Sequence, residues 1–228
     1  MLLEVFIVLG CISMLVGVLL ALYQWDYKRL LAYHSISQVG YIILSLGLGT
    51  PLGILGGLFH LINHSIFKSL LFLTSGAVEY ATGTRDLQKM GGLRQKMPVT
   101  AMSAFVGAMS IAGVPPFNGF WSKLIIILAC IQAGRYWVAA MAVIGSLLTL
   151  SSFLKVQKYA FFGELKPEHE GVKEVPVSMQ IAMVFLAILC ILTSLLILPS
   201  IREFLLEPAV QVVVKGLDYG KNVMEVVK

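Results

Sequence analysis

The chain has 228 residues, 58% of them hydrophobic and 13% charged, with a net charge of +5 and a mean hydropathy of +0.87. Several apolar runs are long enough to cross a bilayer, which excludes an ordinary soluble domain and predicts an all-α polytopic membrane protein. The positive charge does not call for nucleic acid, because basic residues on short loops are what membrane insertion itself selects.

The first apolar run, at about 2–23, lacks the basic start and small-residue cleavage site of a secretory signal and carries Glu4 instead. This predicts a retained first helix, with a missing upstream segment in a split or shortened protein as the alternative. Five further spans are predicted at about 30–49, 52–78, 99–133, 136–161 and 177–199, each bounded by charge, Gly or Pro. The fourth of the six is too long for one straight helix and contains Pro115-Pro116, with Asn118 and Gly119 just beyond. Proline removes a backbone donor and clashes with the preceding turn, so two half-helices joined by an unwound segment are expected. In a membrane such backbone persists only where protein or a water-filled cavity satisfies it. Broken helices of this kind recur at transporter ion sites, and a plain packing kink is the alternative.

Residues 163–176, GELKPEHEGVKEVP, read as a solvated connector. The tail over 201–228 reads as a surface-lying amphipathic helix or a partner contact, weakened by Gly216 and Gly220. The expected organisation is a five-helix unit over 1–162, the connector over 163–176, a final span over 177–200 and the tail over 201–228. Lys28 and Arg29, then Arg85, Lys89, Arg94 and Lys96, then Lys158, Lys166 and Lys173 fall on alternate loops and should share the cytoplasmic side. The positive-inside rule then places both termini outside the plasma membrane. The three cysteines, Cys11, Cys130 and Cys190, lie in apolar runs without C-x-x-C spacing. No iron–sulfur or zinc site is read in this chain, and they are expected to be core residues.

Chemistry concentrates where ionisable groups stand inside the spans. His60, His64 and Lys68 fall at i, i+4 and i+8 on one helical face, so neighbours are expected within reach of each other or of one bridging water. An imidazole accepts a proton on one nitrogen and donates from the other, and an amine taken out of water can exchange a proton that a surface lysine keeps. Together they form a candidate proton wire. The bland alternative has one histidine satisfying a helix contact, Asn63 bonding across an interface and Lys68 snorkelling, although Lys68 lies mid-span. Lys123 follows the break, where freed carbonyls, Ser122 and Asn118 could solvate an ammonium; reaching the interface is its alternative. Lys155 is open between relay and anchor. His34, with Ser35, Ser37 and Gln38, is open between relay and helix–helix hydrogen bonding. Glu4 is the one acid within or close to a predicted span, so these bases require carboxylates from a neighbouring chain or must be neutral.

Four stretches in order, DYKRLLAYHSISQVGYIILSLGLG, FHLINHSIFKSLLFLTSGAV, GTRDLQKMGGLRQKMP and GVPPFNGFWSK, resemble the antiporter-like membrane subunits of respiratory complex I, Mrp-type sodium/proton antiporters and membrane-bound hydrogenases. The resemblance covers roughly residues 10 to 165. It implies that this chain matches the second of two inverted five-helix repeats, plus the last helix, of a fourteen-helix subunit. On that register Lys68 and His64 belong to helix eleven, and Lys123 to the broken helix twelve, as the family's terminal pumping residue. Gln38 stands where other members can carry histidine. The first repeat, with its helix-five glutamate and helix-seven lysine, has no counterpart in these residues.

The resemblance implies a proton-translocating subunit, with sodium as an alternative ion, in the membrane arm of a multi-subunit redox-driven complex. Its relay would comprise Lys68, Lys123, His64, His60, Lys155 and His34, without redox chemistry of its own. A redox-independent Mrp-type antiporter subunit and a non-conducting structural spacer are the alternatives. Expected partners are other membrane-arm subunits, a chain supplying the first repeat, redox subunits holding any iron–sulfur or metal centres, and the lipid bilayer. No cofactor is expected in this chain. An oxidoreductase in its own right is disfavoured, since no dinucleotide fingerprint is present.

Overall fold

The structure, a computed structural model, describes the backbone of residues 2–226 and the side chains of residues 2–216. The described residues are helical, with one isolated backbone bridge between Asp26 and Asp86. Among the described residues nine α-helices follow one another: α1 (Leu2–Tyr23), α2 (Tyr27–Gly47), α3 (Pro51–Thr82), α4 (Pro98–Ala112), α5 (Asn118–Gln132), α6 (Tyr136–Val156), α7 (Val177–Leu192), α8 (Pro199–Leu205) and α9 (Glu207–Val226). α1, α2, α3, α6 with its π-helical extension to Phe161, and α7 with its 3-10 extension to Ile197 are long and apolar enough to cross a membrane. The shorter apolar pair α4 and α5 stands in place of the fourth expected span.

Local chemistry sets these boundaries. Asp26 caps α2 by accepting the Arg29 amide at 2.9 Å, and Thr50 caps α3 in the same way through Gly53 at 3.1 Å, with Pro51 in the first turn. α3 runs past the expected end at 78 because its stop is Gly83, which takes the left-handed conformation at φ 70°. Glu79 therefore lies in the last turn of α3, a second acid near a span beside Glu4. It pairs with Lys28 and lies 3.6 Å from Arg85, which also reaches Asp26.

The loops divide between two ends. One end gathers the basic connections: Tyr27 donates to Arg85 O at 2.9 Å, and Leu87 to Trp25 O at 2.9 Å. The connector 163–176 closes on the same end, which corrects its reading as merely solvated. His169 is buried with Nε2 3.0 Å from Lys89 O, Val175 is buried, and the Leu165 backbone lies where a Cβ on Gly92 would sit. At the opposite end Arg135 pairs with Glu4. α1 and α2 pack closely enough that a Cβ at Gly10, Gly17 or Gly40 would come within 2.6 Å of the facing backbone, the small-residue contact typical of membrane helix pairs. α9 forms despite Gly216 and Gly220, and its Val210, with Leu206 before it, packs on Ile54, Leu55, Phe59 and Ile125. The remainder of the expected tail, the side chains of 217–226 and residues 227–228, lies outside the described residues.

Candidate functional site

The break in the fourth span is built from the end of α4, the unwound residues 113–117 and the start of α5. Gly113 ends α4 at φ 81°, and its N–H reaches Met109 O and Ser110 O, both at 3.1 Å. Val114 adds a second bond to Met109 O at 3.0 Å. A helix end leaves four carbonyls without intrahelical partners; this cap satisfies Met109 O and Ser110 O and leaves those of Ile111 and Ala112. Lys123, one turn into α5, places Nζ 2.8 Å from Ile111 O. The C-terminal end of a helix dipole is also where a cation is favoured. The half-helices meet so closely that a Cβ on Gly119 would lie 1.8 Å from Ser110 O, so only glycine fits there.

Neighbouring helices hold the unwound segment. Asn63 of α3 donates to Asn118 O at 3.0 Å, the Asn118 amide donates to Thr193 at 2.9 Å, and Ser194 donates to Pro116 O at 2.9 Å. The expectation that Ser122 and Asn118 solvate Lys123 is corrected by these bonds. Ser122 is 2.9 Å from His60 Nδ1, and Asn118 is committed to the clamp. What surrounds Lys123 instead is the Ile111 carbonyl and the ring of Tyr41, whose centroid is 4.8 Å from Nζ.

Lys68 is 5% exposed and donates to Leu31 O inside α2. Although His60, His64 and Lys68 share α3, their polar heads diverge. His60 turns to α5, Lys68 turns to α2, and His64 is half-buried with Nε2 lacking a partner. The Phe67 ring lies near both imidazoles, 6.0 Å from His60 and 5.6 Å from His64. His34 is fully buried one turn along α2 from Leu31, with Nε2 2.9 Å from Ser152 of α6. Lys155 is half-buried and bonds Leu22 O in the last turn of α1 at 2.6 Å and Gln24 O just beyond it at 2.7 Å, over the Trp25 ring. All three lysines thus end on backbone carbonyls.

Tyr41 was not singled out from the sequence, yet it sits beside both Lys123 and His60, its ring centroid 5.7 Å from the imidazole. The signal was available: His34, Gln38, Tyr41 and Ser45 recur at i, i+4, i+7 and i+11 and form one buried face of α2. Along this face and the facing turns of α3, α4 and α5, buried polar atoms lack protein partners. They are His34 Nδ1, both amide atoms of Gln38, His60 Nε2, Asn63 Oδ1, Ser110 Oγ and Asn118 Oδ1. Unpaired polar atoms in such density are the usual seats of ordered internal water.

Residues 1–149 match the family model described as "NADH:quinone oxidoreductase/Mrp antiporter, TM". The chain is 40% identical over 212 residues to a Na(+)/H(+) antiporter subunit of Alkalihalophilus pseudofirmus, covering 93% of this chain and 42% of that protein. It is 39% identical to a hydrogenase-4 component of Escherichia coli, covering 82% and 31%. Its backbone superposes on a chain of the Mrp complex from Dietzia sp. DQ12-45-1b with a TM-score of 0.83 at 31% identity, covering 92% and 46%. The chain therefore spans less than half the length of these relatives.

Proposed function

Because the chain belongs to the NADH:quinone oxidoreductase/Mrp antiporter membrane family, we propose that this antiporter-like subunit moves protons through the Lys68–Lys123 axis, in the membrane arm of a multi-subunit redox-driven complex. The observation that carries the reading is Lys123 held on the freed Ile111 carbonyl at a clamped break. A lysine with a neutral acceptor and no carboxylate can be ammonium or amine without leaving a paired charge stranded.

The transfer path runs from Lys68 past His34, Gln38 and Tyr41 on α2 and His60 on α3 to Lys123, with water at the unpartnered polar atoms completing the hydrogen-bond chain. The driving step is electrostatic: two unit charges ~8 Å apart interact by about 2 kcal/mol at an effective dielectric of 20, enough to shift a proton affinity more than tenfold. Lys155, on the end of α1, is an anchor at the edge of this path. The basic end faces the cytoplasm of a plasma membrane, with both termini outside. A first-repeat unit, the remaining membrane-arm subunits and redox subunits bearing the metal centres complete the assembly.

The 40% identity to a Na(+)/H(+) antiporter subunit favours a second reading, a redox-independent antiporter module with the same lysines. Ion uptake into inverted membrane vesicles, with assembly verified, tests both. Lys123→Met and Lys68→Met are each expected to reduce uptake to background. Reductant-driven uptake identifies the first reading, and uptake driven only by an imposed ion gradient identifies the second. Undiminished uptake in both variants would make the chain a spacer.

A further inference from the structure

We propose that the basic end carries a site for one anionic phospholipid, its phosphodiester on Arg94, its glycerol-ester region on Gln157 and an acyl chain along the groove between α4 and α7. A hollow of about 360 Å³ opens between α4 and the π-helical end of α6, lined by Arg94, the first two turns of α4 and the aromatic residues Phe105, Phe161 and Phe162. Gln157 also lines it. This residue is 4% exposed, and neither its amide nitrogen nor its amide oxygen has a partner. An unpaired buried amide is costly, and a ligand carbonyl is a matching acceptor for its N–H. The helix widens to a π turn over Gln157–Phe161, a geometry that recurs at functional positions.

The rim supplies the charge. Arg94 is exposed, lies 5.3 Å from the Phe162 ring centroid and has no carboxylate partner among the described residues. A guanidinium with open N–H groups binds a phosphodiester well. What distinguishes a lipid from a free anion is the adjoining groove of about 370 Å³. It shares Pro98 and Met102 with the first hollow and continues along Val184, Ala187, Ile188 and Ile191 of α7. A cation and a buried donor line one hollow and an apolar slot adjoins it, which together supply partners for a phospholipid's phosphate, ester and chain. The site sits where the basic loop residue Arg94 meets the start of α4 and the end of α6.

The test uses the full chain in phosphatidylcholine nanodiscs with and without phosphatidylglycerol, read by native mass spectrometry and Tm. One retained phosphatidylglycerol and a Tm rise with that lipid, absent with phosphatidylcholine or inorganic phosphate alone, are expected. Arg94→Gln and Gln157→Leu should each weaken retention by about tenfold, Arg94→Lys less, and Arg85→Gln not at all. Equal retention in all variants, an equal Tm rise with phosphatidylcholine, or a rise with phosphate alone would overturn the proposal. Should a variant fail to fold, the unmodified chain with photoreactive phosphatidylglycerol decides: labelling at Met102 or Ile188 is expected, and labelling confined to other helices contradicts the site.

Discussion

Lys68 and Lys123 carry the same amine in the same membrane fold, but the carbonyls that hold them differ in kind. Lys68 bonds a carbonyl in the body of α2, an oxygen that also lies 3.3 Å from the Ser35 hydroxyl. Lys123 bonds a carbonyl that the end of α4 has left open. A mid-helix carbonyl already accepts from its own helix, so its bond to an ammonium is shared; a carbonyl at a helix end is unclaimed and sits at the negative pole of the dipole. Breaking a helix thus makes a cation site without a buried acid.

Substitutions confined to one side sharpen this contrast. Gly119→Ala should have the largest effect on stability, about 3 kcal/mol, because its methyl would overlap Ser110 O and force the half-helices apart. Chemical denaturation measures this, and uptake should fall with it while the Lys68 side is untouched. Glu174→Ala comes next. From the connector, Glu174 accepts the Val99 and Thr100 amides at 2.9 and 3.2 Å and the Thr100 hydroxyl at 2.6 Å. It caps the half-helix whose other end holds Lys123, so its removal should cost about 2 kcal/mol. Glu174→Gln, which keeps an acceptor, should cost less, as a Tm series would show. Smallest are Ser152→Ala and Ser122→Ala, each removing one imidazole partner for about 1 kcal/mol. The first should slow transfer from the Lys68 side and the second arrival at Lys123, separable by single-turnover proton release.

Local pattern carried much of this into the sequence. The span at 2–23 coincides with α1, and Pro115-Pro116 marks the break, because helix length and proline sterics are local properties. The α3 boundary moved because a glycine stop outweighed the hydropathy limit. Partners distant in sequence were not legible: Ser152 for His34, Ser122 for His60, Thr193 for Asn118 and Glu174 for α4 are set by which helices pack together. The connector was misread for the same reason, since its charges masked the burial of His169 and Val175. Composition also could not separate Lys155, drawn to the end of α1, from the more deeply buried pair.

Proton transfer through the proposed path requires Lys123 to give up and regain a proton rather than serve as a fixed positive charge. Arginine keeps the charge and does not deprotonate in proteins, so the decisive measurement is ion uptake by assembled complexes carrying Lys123→Arg beside Lys123→Met. Both are expected to fall to background alike; uptake sustained by the arginine variant would rule out proton exchange at this residue.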